Sequence, residues 1–189
     1  MKLFKDTYRV ETARLQSWDY TWAGWYYATV CTKDMTCFFG NIANEKMSRS
    51  ESGEVASQFW NDIPKYFSHV ELDDFEIMPN HVHGIIIIND VVETLHRNVS
   101  AEGREGVNKR MSAISPKPGS LSAIVRSFKS AVTKECHNKG FKEFDWQPRF
   151  YEHIIRNEQD LHRIRTYIRN NVLRWELERL YPEDFLKEL

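Results

Sequence analysis

The sequence predicts an α+β domain in which helices pack on a mostly antiparallel sheet. Apolar residues recur at strand and helix spacing in the order strand, helix, strand, strand, helix, strand, helix. Only the turn residues Pro79 and Asn80 separate the second and third strands, which favours an antiparallel pair. A chain of 189 residues with 41% hydrophobic residues can bury the core that such a sandwich requires.

Before residue 80 the pattern predicts two strands, a hairpin arm and a helix. Residues 25–32 are typical of a strand, and residues 38–42 predict a short hairpin arm. A helix is expected from Ser52, because the apolar residues that follow keep helical spacing: Val55, Phe59, Ile63 and Tyr66. Residues 70–77 predict the next strand, which is interrupted by the acidic pair Asp73 and Asp74.

The most strand-like segment is 81–88, which ends in four consecutive isoleucines. These residues are β-branched and apolar on both faces, so we expect a central strand that is covered on each side.

The second half of the chain predicts a loop, two helices and one strand. Residues 91–120 show no periodicity, and a loop of this length is expected to be mobile. A helix follows, marked by Leu121, Ile124, Val125, Phe128 and Val132, and residues 150–155 predict the last strand. The final helix begins near Asn157 and Asp160 and carries the apolar residues Leu161, Ile164, Ile168 and Trp175. This order fits a ferredoxin-like or RRM-like sandwich, with one domain spanning residues 1–189.

Composition limits the functional classes. A net charge of −1 is not typical of a nucleic-acid-binding protein, so any such function must depend on local basic patches. The three cysteines form no Cys-x-x-Cys pair, which favours reduced thiols in the cytoplasm. No run approaches the ~20 apolar residues of a membrane span, and residues 2–20 are too polar for a signal peptide. We therefore expect a cytoplasmic protein.

The first candidate site is His81-Val82-His83 at the start of the isoleucine strand. Side chains alternate across a strand, so His81 and His83 lie on one face and can bind one metal ion together. A His-x-His pattern alone is more often a pair of ordinary surface or core histidines. A structural zinc ion would require four closed ligands, which the chain does not offer at suitable spacing.

The second candidate site lies on the last helix. Tyr167 and Asn171 are four residues apart and share one side of the helix, with Arg163 one turn before Tyr167. A tyrosine at the edge of a buried stripe usually serves packing alone.

These motifs resemble those of the HUH single-tyrosine transposases, and among them the REP-associated tyrosine transposases. The matching segments span most of the chain in the family's order: 78–84, 119–133, 146–156 and 167–171. The chain departs from the family at Val172, where proline often follows the asparagine. The departure leaves Tyr167 and Asn171 in place.

The resemblance implies a fold, an activity and a set of site residues. The fold would be the ferredoxin-like or RRM-like sandwich already expected. The activity would be metal-dependent cleavage and rejoining of single-stranded, hairpin-forming DNA through a 5′-phosphotyrosine at Tyr167. His81, His83 and Asn171 would bind Mg²⁺ or Mn²⁺, and the substrate would be an imperfect palindrome folded into a hairpin.

A tyrosine with a pKa of about 10 is a poor nucleophile unless its anion is stabilised. Arg163, a nearby metal ion, or both could stabilise the phenolate of Tyr167. Tyr151 is the rival nucleophile, but it lies in a predicted strand and has no amide one helical turn away.

Six basic residues are candidates for DNA contacts, on the helix after residue 120 and around Tyr167: Arg126, Lys129, Lys134, Arg163, Arg165 and Arg169. A solvated charged face explains the first three equally well when they are taken alone. We expect an association with the nucleoid, and a homodimer is compatible with the sequence.

Two other functions stay open. The chain could be an inactive module that binds hairpin DNA or RNA on the same fold, although His81, His83, Tyr167 and Asn171 are all intact. It could also be a metal hydrolase unrelated to nucleic acid, which the basic residues and the lack of acidic ligands disfavour.

Overall fold

The computed structural model describes residues 18–90 and 116–180. The described elements, in chain order, are β1 (Gly24–Cys31), β2 (Gly40–Ala43), β3 (Lys46–Arg49), α1 (Glu51–Asn61), α2 (Ile63–Tyr66), β4 (Val70–Met78), β5 (His81–Ile88), α3 (Leu121–Asn138), β6 (Tyr151–Ile155) and α4 (Glu158–Leu180). Within these ranges, no helix is long and apolar enough to cross a membrane.

Four strands form the main sheet in the order β4-β5-β1-β6, and each neighbouring pair is antiparallel. The helices α1 and α2 connect β1 to β4 after the small hairpin, and α3 precedes β6. This is the split βαβ arrangement of ferredoxin-like domains. The predicted α+β sandwich with a mostly antiparallel sheet is therefore confirmed.

The isoleucine strand β5 lies inside the sheet, between β4 and β1. Ile86 and Ile88 pack into the larger apolar cluster, which also contains the apolar residues of α1 and α3. Ile85 points to the opposite face and packs under α4. Burial of each isoleucine side chain stabilises the fold by about 1.5–3 kcal/mol, so covering both faces of β5 is favourable.

The acidic interruption in β4 coincides with an irregularity of the sheet. The register of β4 against β5 shifts between Leu72 and Phe75, so Asp73 and Asp74 form a bulge. The bulge leaves both carboxylates free to face α4, where they meet arginines.

The predicted hairpin arm is a complete two-stranded hairpin. Strand β2 pairs with β3 through a two-residue turn in which Asn44 and Glu45 have φ values of 53° and 58°. Positive φ at both residues is typical of the turn that matches the twist of a hairpin. The sequence pattern did not predict β3, because Lys46–Arg49 is mostly exposed and polar.

Two other predicted boundaries differ from the structure. The helix expected over 52–66 is divided into α1 and α2, with Pro64 in the first turn of α2, where a missing amide hydrogen is tolerated. Most of the loop predicted over 91–120 lies outside the described residues. Its last residue, Ser120, caps α3 by accepting a hydrogen bond from the amide of Ala123.

Gly84 follows the two histidines and allows β5 to approach its neighbours closely. A Cβ atom at this position would lie 2.5 Å from Cβ of Phe75 and 2.8 Å from Cζ2 of Trp60. Trp60 is fully buried and Phe75 packs against the same apolar cluster, so neither side chain can move away freely. Only glycine therefore fits at position 84 without a steric clash.

We expect Gly84→Ala to lower the free energy of unfolding by about 1–3 kcal/mol, because it overpacks the core. Urea denaturation followed by circular dichroism measures the change. Gly24→Ala in β1 is a matched control, since a Cβ atom there would meet only ordinary contacts of 3.4 Å or more. Equal stability of the two variants would contradict the close approach of β5 to Phe75 and Trp60.

Candidate active site

One face of the sheet lies beneath α4 and carries polar and aromatic residues from three strands. The register places Thr29 of β1 opposite His83 of β5 on one side and opposite Tyr151 of β6 on the other. Tyr27 is likewise opposite His153 of β6. Side chains at directly paired positions share a face, so these residues form one continuous surface.

Helix α4 is fixed on this surface by an apolar stripe. Leu161, Ile164 and Ile168 recur at intervals of three and four residues and pack against Tyr27 and Ile85. Asn171 continues the same stripe one turn later and is buried. Burial of an amide along an apolar stripe requires polar partners, which the histidines of β5 provide.

His81 is held in one tautomer by Asn80. The amide of Asn80 donates to the carbonyl of Met35, so its oxygen faces Nδ1 of His81 at 2.8 Å. Because that oxygen only accepts, Nδ1 carries the proton and Nε2 keeps its lone pair. This is the arrangement that prepares a histidine for metal binding. Burial lowers the pKa of His81 to about 4, so the ring is neutral at pH 7.

His83 is fully buried and is surrounded by polar groups. Its Nδ1 lies 3.3 Å from the hydroxyl of Tyr27 and 3.2 Å from Nδ2 of Asn171, which is also 3.4 Å from Nε2. Burial and the adjacent His81 lower the pKa of His83 to about 3. Both imidazoles are therefore neutral at physiological pH.

The side chains of His81, His83 and Asn171 together could hold a divalent ion. The rings of His81 and His83 are nearly perpendicular, with centroids 5.0 Å apart. A rotation of the Asn171 amide would present its oxygen in place of its nitrogen beside His83. Within residues 18–90 and 116–180, no three His, Cys, Asp or Glu side chains form a metal-binding group. A site here would thus comprise two imidazoles and an amide, with open coordination positions.

Tyr167 lies beside the histidines and is accessible. Its ring centroid is 5.6 Å from that of His83 and 6.3 Å from that of Tyr27. The residue is 42% exposed, so a substrate can reach its hydroxyl. The structure therefore brings Tyr167 and Asn171 of α4 beside His83 of β5.

A cleft of about 290 Å³ opens next to Tyr167, and Tyr151 lies in it too. Its lining comprises Tyr27, Thr29, Tyr151, His153, Arg163, Ile164 and Tyr167. Tyr151 is 55% exposed and meets the ring of Tyr27 edge-on at 6.3 Å. In the sequence, Tyr151 is disfavoured because it has no amide one helical turn away. Strand pairing nevertheless places it in the same cleft as Tyr167.

Comparison with known proteins identifies a sequence relative and a structural neighbour. The chain is 38% identical over 175 residues to an uncharacterized protein of Haemophilus influenzae, covering 90% of this chain and 92% of that protein. It belongs to the same family as that protein. Its structure is similar to that of a REP-associated tyrosine transposase bound to a REP hairpin, with a TM-score of 0.53 and 19% identity. That similarity covers 85% of this chain and 73% of the transposase.

The chain has the fold of a REP-associated tyrosine transposase. The resemblance of its sequence motifs to this family is thereby confirmed at the level of the fold. No family model matches the chain.

Two of the arginines that we expected to contact DNA instead form ion pairs with the bulge of β4. Arg165 binds Asp73 through two nitrogens and also lies over the ring of Trp25 at 5.7 Å. Arg169 pairs with Asp74 at 2.8 Å. We expected both arginines near Tyr167, but these contacts are on the β4 side of α4, away from the cleft. Arg163 does line the cleft, where its guanidinium pairs with Asp160 at 2.6 Å.

The predicted basic face of α3 lies on the opposite side of the sheet from Tyr167, since α3 packs into the other apolar cluster. Arg126 and Lys134 are exposed there and line a shallow groove of about 480 Å³ with Ser127 and Ser130. Lys129 points elsewhere, because its ammonium donates to the carbonyls of Gln147 and Arg149. Burial lowers the pKa of this lysine.

Several residues around the site were not predicted. Tyr27 holds His83, and Thr29 in turn donates to the Tyr27 hydroxyl at 3.0 Å. Burial raises the pKa of Tyr27, so its hydroxyl stays neutral. Alternation in β1 identifies Tyr27 and Thr29 as sharing a face, but only the strand register shows which neighbours they meet.

Glu176 was also missed, and it fixes the second half of α4. Its buried carboxylate accepts hydrogen bonds from the amides of Asn44 and Glu45 in the hairpin turn. The preceding residue, Trp175, lies with its ring 6.1 Å from that of His81. The hairpin therefore holds the part of α4 that follows Asn171.

The lowered pKa values of His81 and His83 predict acid sensitivity of the metal-free protein. As pH falls below 6.5, the histidines of the unfolded chain take up protons, whereas those of the folded chain do not until about pH 4 and 3. The unfolded state is thus favoured, by up to roughly 2 kcal/mol per histidine at pH 5.

Urea unfolding in a chelator at pH 7.5, 6 and 5 measures this loss. His83→Gln should flatten the dependence, while His162→Gln, at an exposed position of α4, should leave it unchanged. An identical pH dependence in the wild type and His83→Gln would show that His83 is not held neutral by the fold.

Proposed function

We propose that the protein is a metal-dependent HUH transposase that cleaves and rejoins single-stranded, hairpin-forming DNA through a phosphotyrosine at Tyr167. The observation that carries this proposal is the contact of Tyr167, His83 and Asn171. The ring of Tyr167 lies 5.6 Å from that of His83, whose nitrogens contact the Asn171 amide at 3.2–3.4 Å. An accessible phenol beside neutral imidazoles is suited to attack on a phosphodiester.

His81, His83 and Asn171 would hold the metal ion, Mg²⁺ or Mn²⁺. When bound, the ion would polarise non-bridging phosphate oxygens and orient the scissile phosphate. Asn80 and Tyr27 support this role, because each positions one of the two imidazoles through a hydrogen bond at Nδ1.

Tyr167 is the nucleophile. Its phenolic oxygen bonds to phosphorus, the bond from phosphorus to the 3′ oxygen breaks, and a 3′-hydroxyl is released. The 5′ end stays joined to the protein as a phosphotyrosine ester, which conserves the bond energy. Attack by another 3′-hydroxyl on this ester rejoins the DNA and restores Tyr167. No nucleotide cofactor is needed for either step.

The cleft suits an unpaired strand. Tyr27, Tyr151 and Tyr167 surround a space of about 290 Å³. Exposed tyrosine rings can stack on bases, which are available only where a strand is not held in a duplex. The hairpin bound to the similar REP-associated tyrosine transposase is consistent with a folded single strand as substrate.

We assign phosphate contacts to the exposed cations of the cleft and of the groove on α3, although Arg163 at the cleft also pairs with Asp160. Arg126 and Lys134 are exposed in the groove on α3, and Arg163 lies at the cleft. Arg165 and Arg169 are engaged with Asp73 and Asp74, and Lys129 with two backbone carbonyls. Those three serve the fold first. DNA that contacts both Arg163 and the α3 groove must pass around an edge of the sheet.

Tyr167→Phe should abolish the covalent protein–DNA adduct while leaving folding and hairpin binding intact, because it removes one hydroxyl at an exposed position. The assay incubates the protein with labelled single-stranded hairpins carrying randomised flanks, in Mg²⁺ or Mn²⁺. A denaturation-resistant labelled band reports the adduct.

Tyr151→Phe is the matched control, since Tyr151 lies in the same cleft at similar exposure. An adduct that survives in Tyr167→Phe and disappears in Tyr151→Phe would transfer the nucleophile to Tyr151. Tight hairpin binding without an adduct in the wild type would favour the inactive binding module.

Alanine at His81 or His83 should weaken the binding of Mn²⁺ at least tenfold, because each substitution removes one of two imidazole ligands. Isothermal titration calorimetry with Mn²⁺ measures the affinity. His69→Ala serves as the control, since His69 bonds to the carbonyl of Gly119 and lies outside the site. Wild-type affinity in both site variants would remove the metal from the proposal.

A further inference from the structure

A second pair of titratable residues lies on the cleft, outside the proposed metal site. Nε2 of His153 in β6 is 2.6 Å from Oδ2 of Asp160 in the first turn of α4. The side chain of His153 is 36% exposed and lines the cleft, whereas that of Asp160 is 16% exposed. The pair therefore joins a partly buried carboxylate to an imidazole that a substrate can approach.

Asp160 is held rigidly and stays ionised. Its amide bonds to the side chain of Asn157 at 2.8 Å, and its other carboxylate oxygen accepts from Arg163 at 2.6 Å. Burial opposes ionisation, but the hydrogen bonds from His153 and Arg163 outweigh it and lower the pKa of Asp160. Its place at the start of α4 also favours a negative charge.

An ionised carboxylate accepts the hydrogen of Nε2, so the lone pair of His153 is on Nδ1. Among residues 18–90 and 116–180, no further group forms a hydrogen bond to this imidazole. The same division of roles between an aspartate and a histidine is found in Ser-His-Asp triads, where the aspartate orients the ring and stabilises its protonated form.

The other residues near Tyr167 are poorly suited to accept its proton. The rest of the cleft lining consists of tyrosines, a threonine, an isoleucine and Arg163, whose guanidinium has no acceptor. His83 lies close to Tyr167, but it is buried and already contacts Tyr27 and Asn171 through its ring nitrogens. A general base works best when it is accessible and basic near the operating pH.

We propose that His153 is the general base for Tyr167, oriented by Asp160. The inference rests on the proposed function. As the phenolic oxygen bonds to phosphorus, its proton moves to Nδ1 of His153, and the resulting imidazolium is stabilised by Asp160. The bond from phosphorus to the 3′ oxygen breaks, and this oxygen takes a proton from water. In rejoining, a 3′-hydroxyl bonds to phosphorus and gives its proton to water, the bond from phosphorus to the Tyr167 oxygen breaks, and His153 returns its proton to that oxygen.

The experiment measures the single-turnover rate of adduct formation with the labelled randomised-flank hairpins. His153→Gln should slow the reaction about 100-fold or more, the range typical of a lost general base. Hairpin affinity should be unchanged. His162→Gln, on the exposed side of α4, is the matched control and should react at the wild-type rate.

A second experiment distinguishes the loss of a general base from a structural effect of His153→Gln. Trifluorotyrosine is placed at position 167 by codon suppression in the wild type and in His153→Gln. Fluorination lowers the pKa of the phenol, so a base is no longer required for its ionisation. The rate difference between the two backgrounds should then fall to less than tenfold.

Each outcome decides the inference. An equal rate in His153→Gln and the wild type overturns the base assignment while the proposed function stands. A defect that is equally large with the fluorinated phenol shows a structural role and also overturns it. Absence of an adduct in the wild type overturns the proposed function, and the base assignment with it.

Discussion

The burial of β5 is the constraint on which the rest of the structure depends. A strand covered on both faces can carry polar groups only where other polar groups meet them. His81 and His83, at the start of β5, satisfy this requirement. Burial keeps both imidazoles neutral, and Asn80, Tyr27 and Asn171 supply their hydrogen bonds. The burial that stabilises the core thus also keeps His81 neutral, with a lone pair on Nε2 where the proposed metal ion would bind.

The position of α4 follows from the same face of the sheet. Its apolar stripe packs on Tyr27 and Ile85, and polar contacts fix it on three sides. Asp160 meets His153 of β6, Arg165 meets Asp73 in the bulge of β4, and Glu176 meets the turn of the β2–β3 hairpin. Catalytic groups must be held within fractions of an ångström, and a helix anchored on three sides meets that demand better than a loop.

The sequence predicts those parts of the fold and site in which a local period is strong. The isoleucine run defines β5, and helical spacing defines α4 with Tyr167 and Asn171 on one side. Tyr27 and His153 escape prediction because their role depends on the register between β1, β5 and β6, which no local pattern determines. Arg165 and Arg169 resemble free cations in the sequence because the bulge that presents Asp73 and Asp74 is a tertiary feature.

The separation of the two basic regions has a consequence for DNA recognition. Arg163 lies at the cleft, whereas Arg126 and Lys134 lie behind the sheet. The net charge of −1 provides no general attraction for DNA, so affinity must come from such local groups. Because phosphate contacts position a nucleic acid without reading its sequence, the α3 groove would hold the hairpin stem under the proposed function. Under the proposed function the tyrosine-lined cleft on the other face would hold the unpaired strand, so strand selection and chemistry would occur at one location.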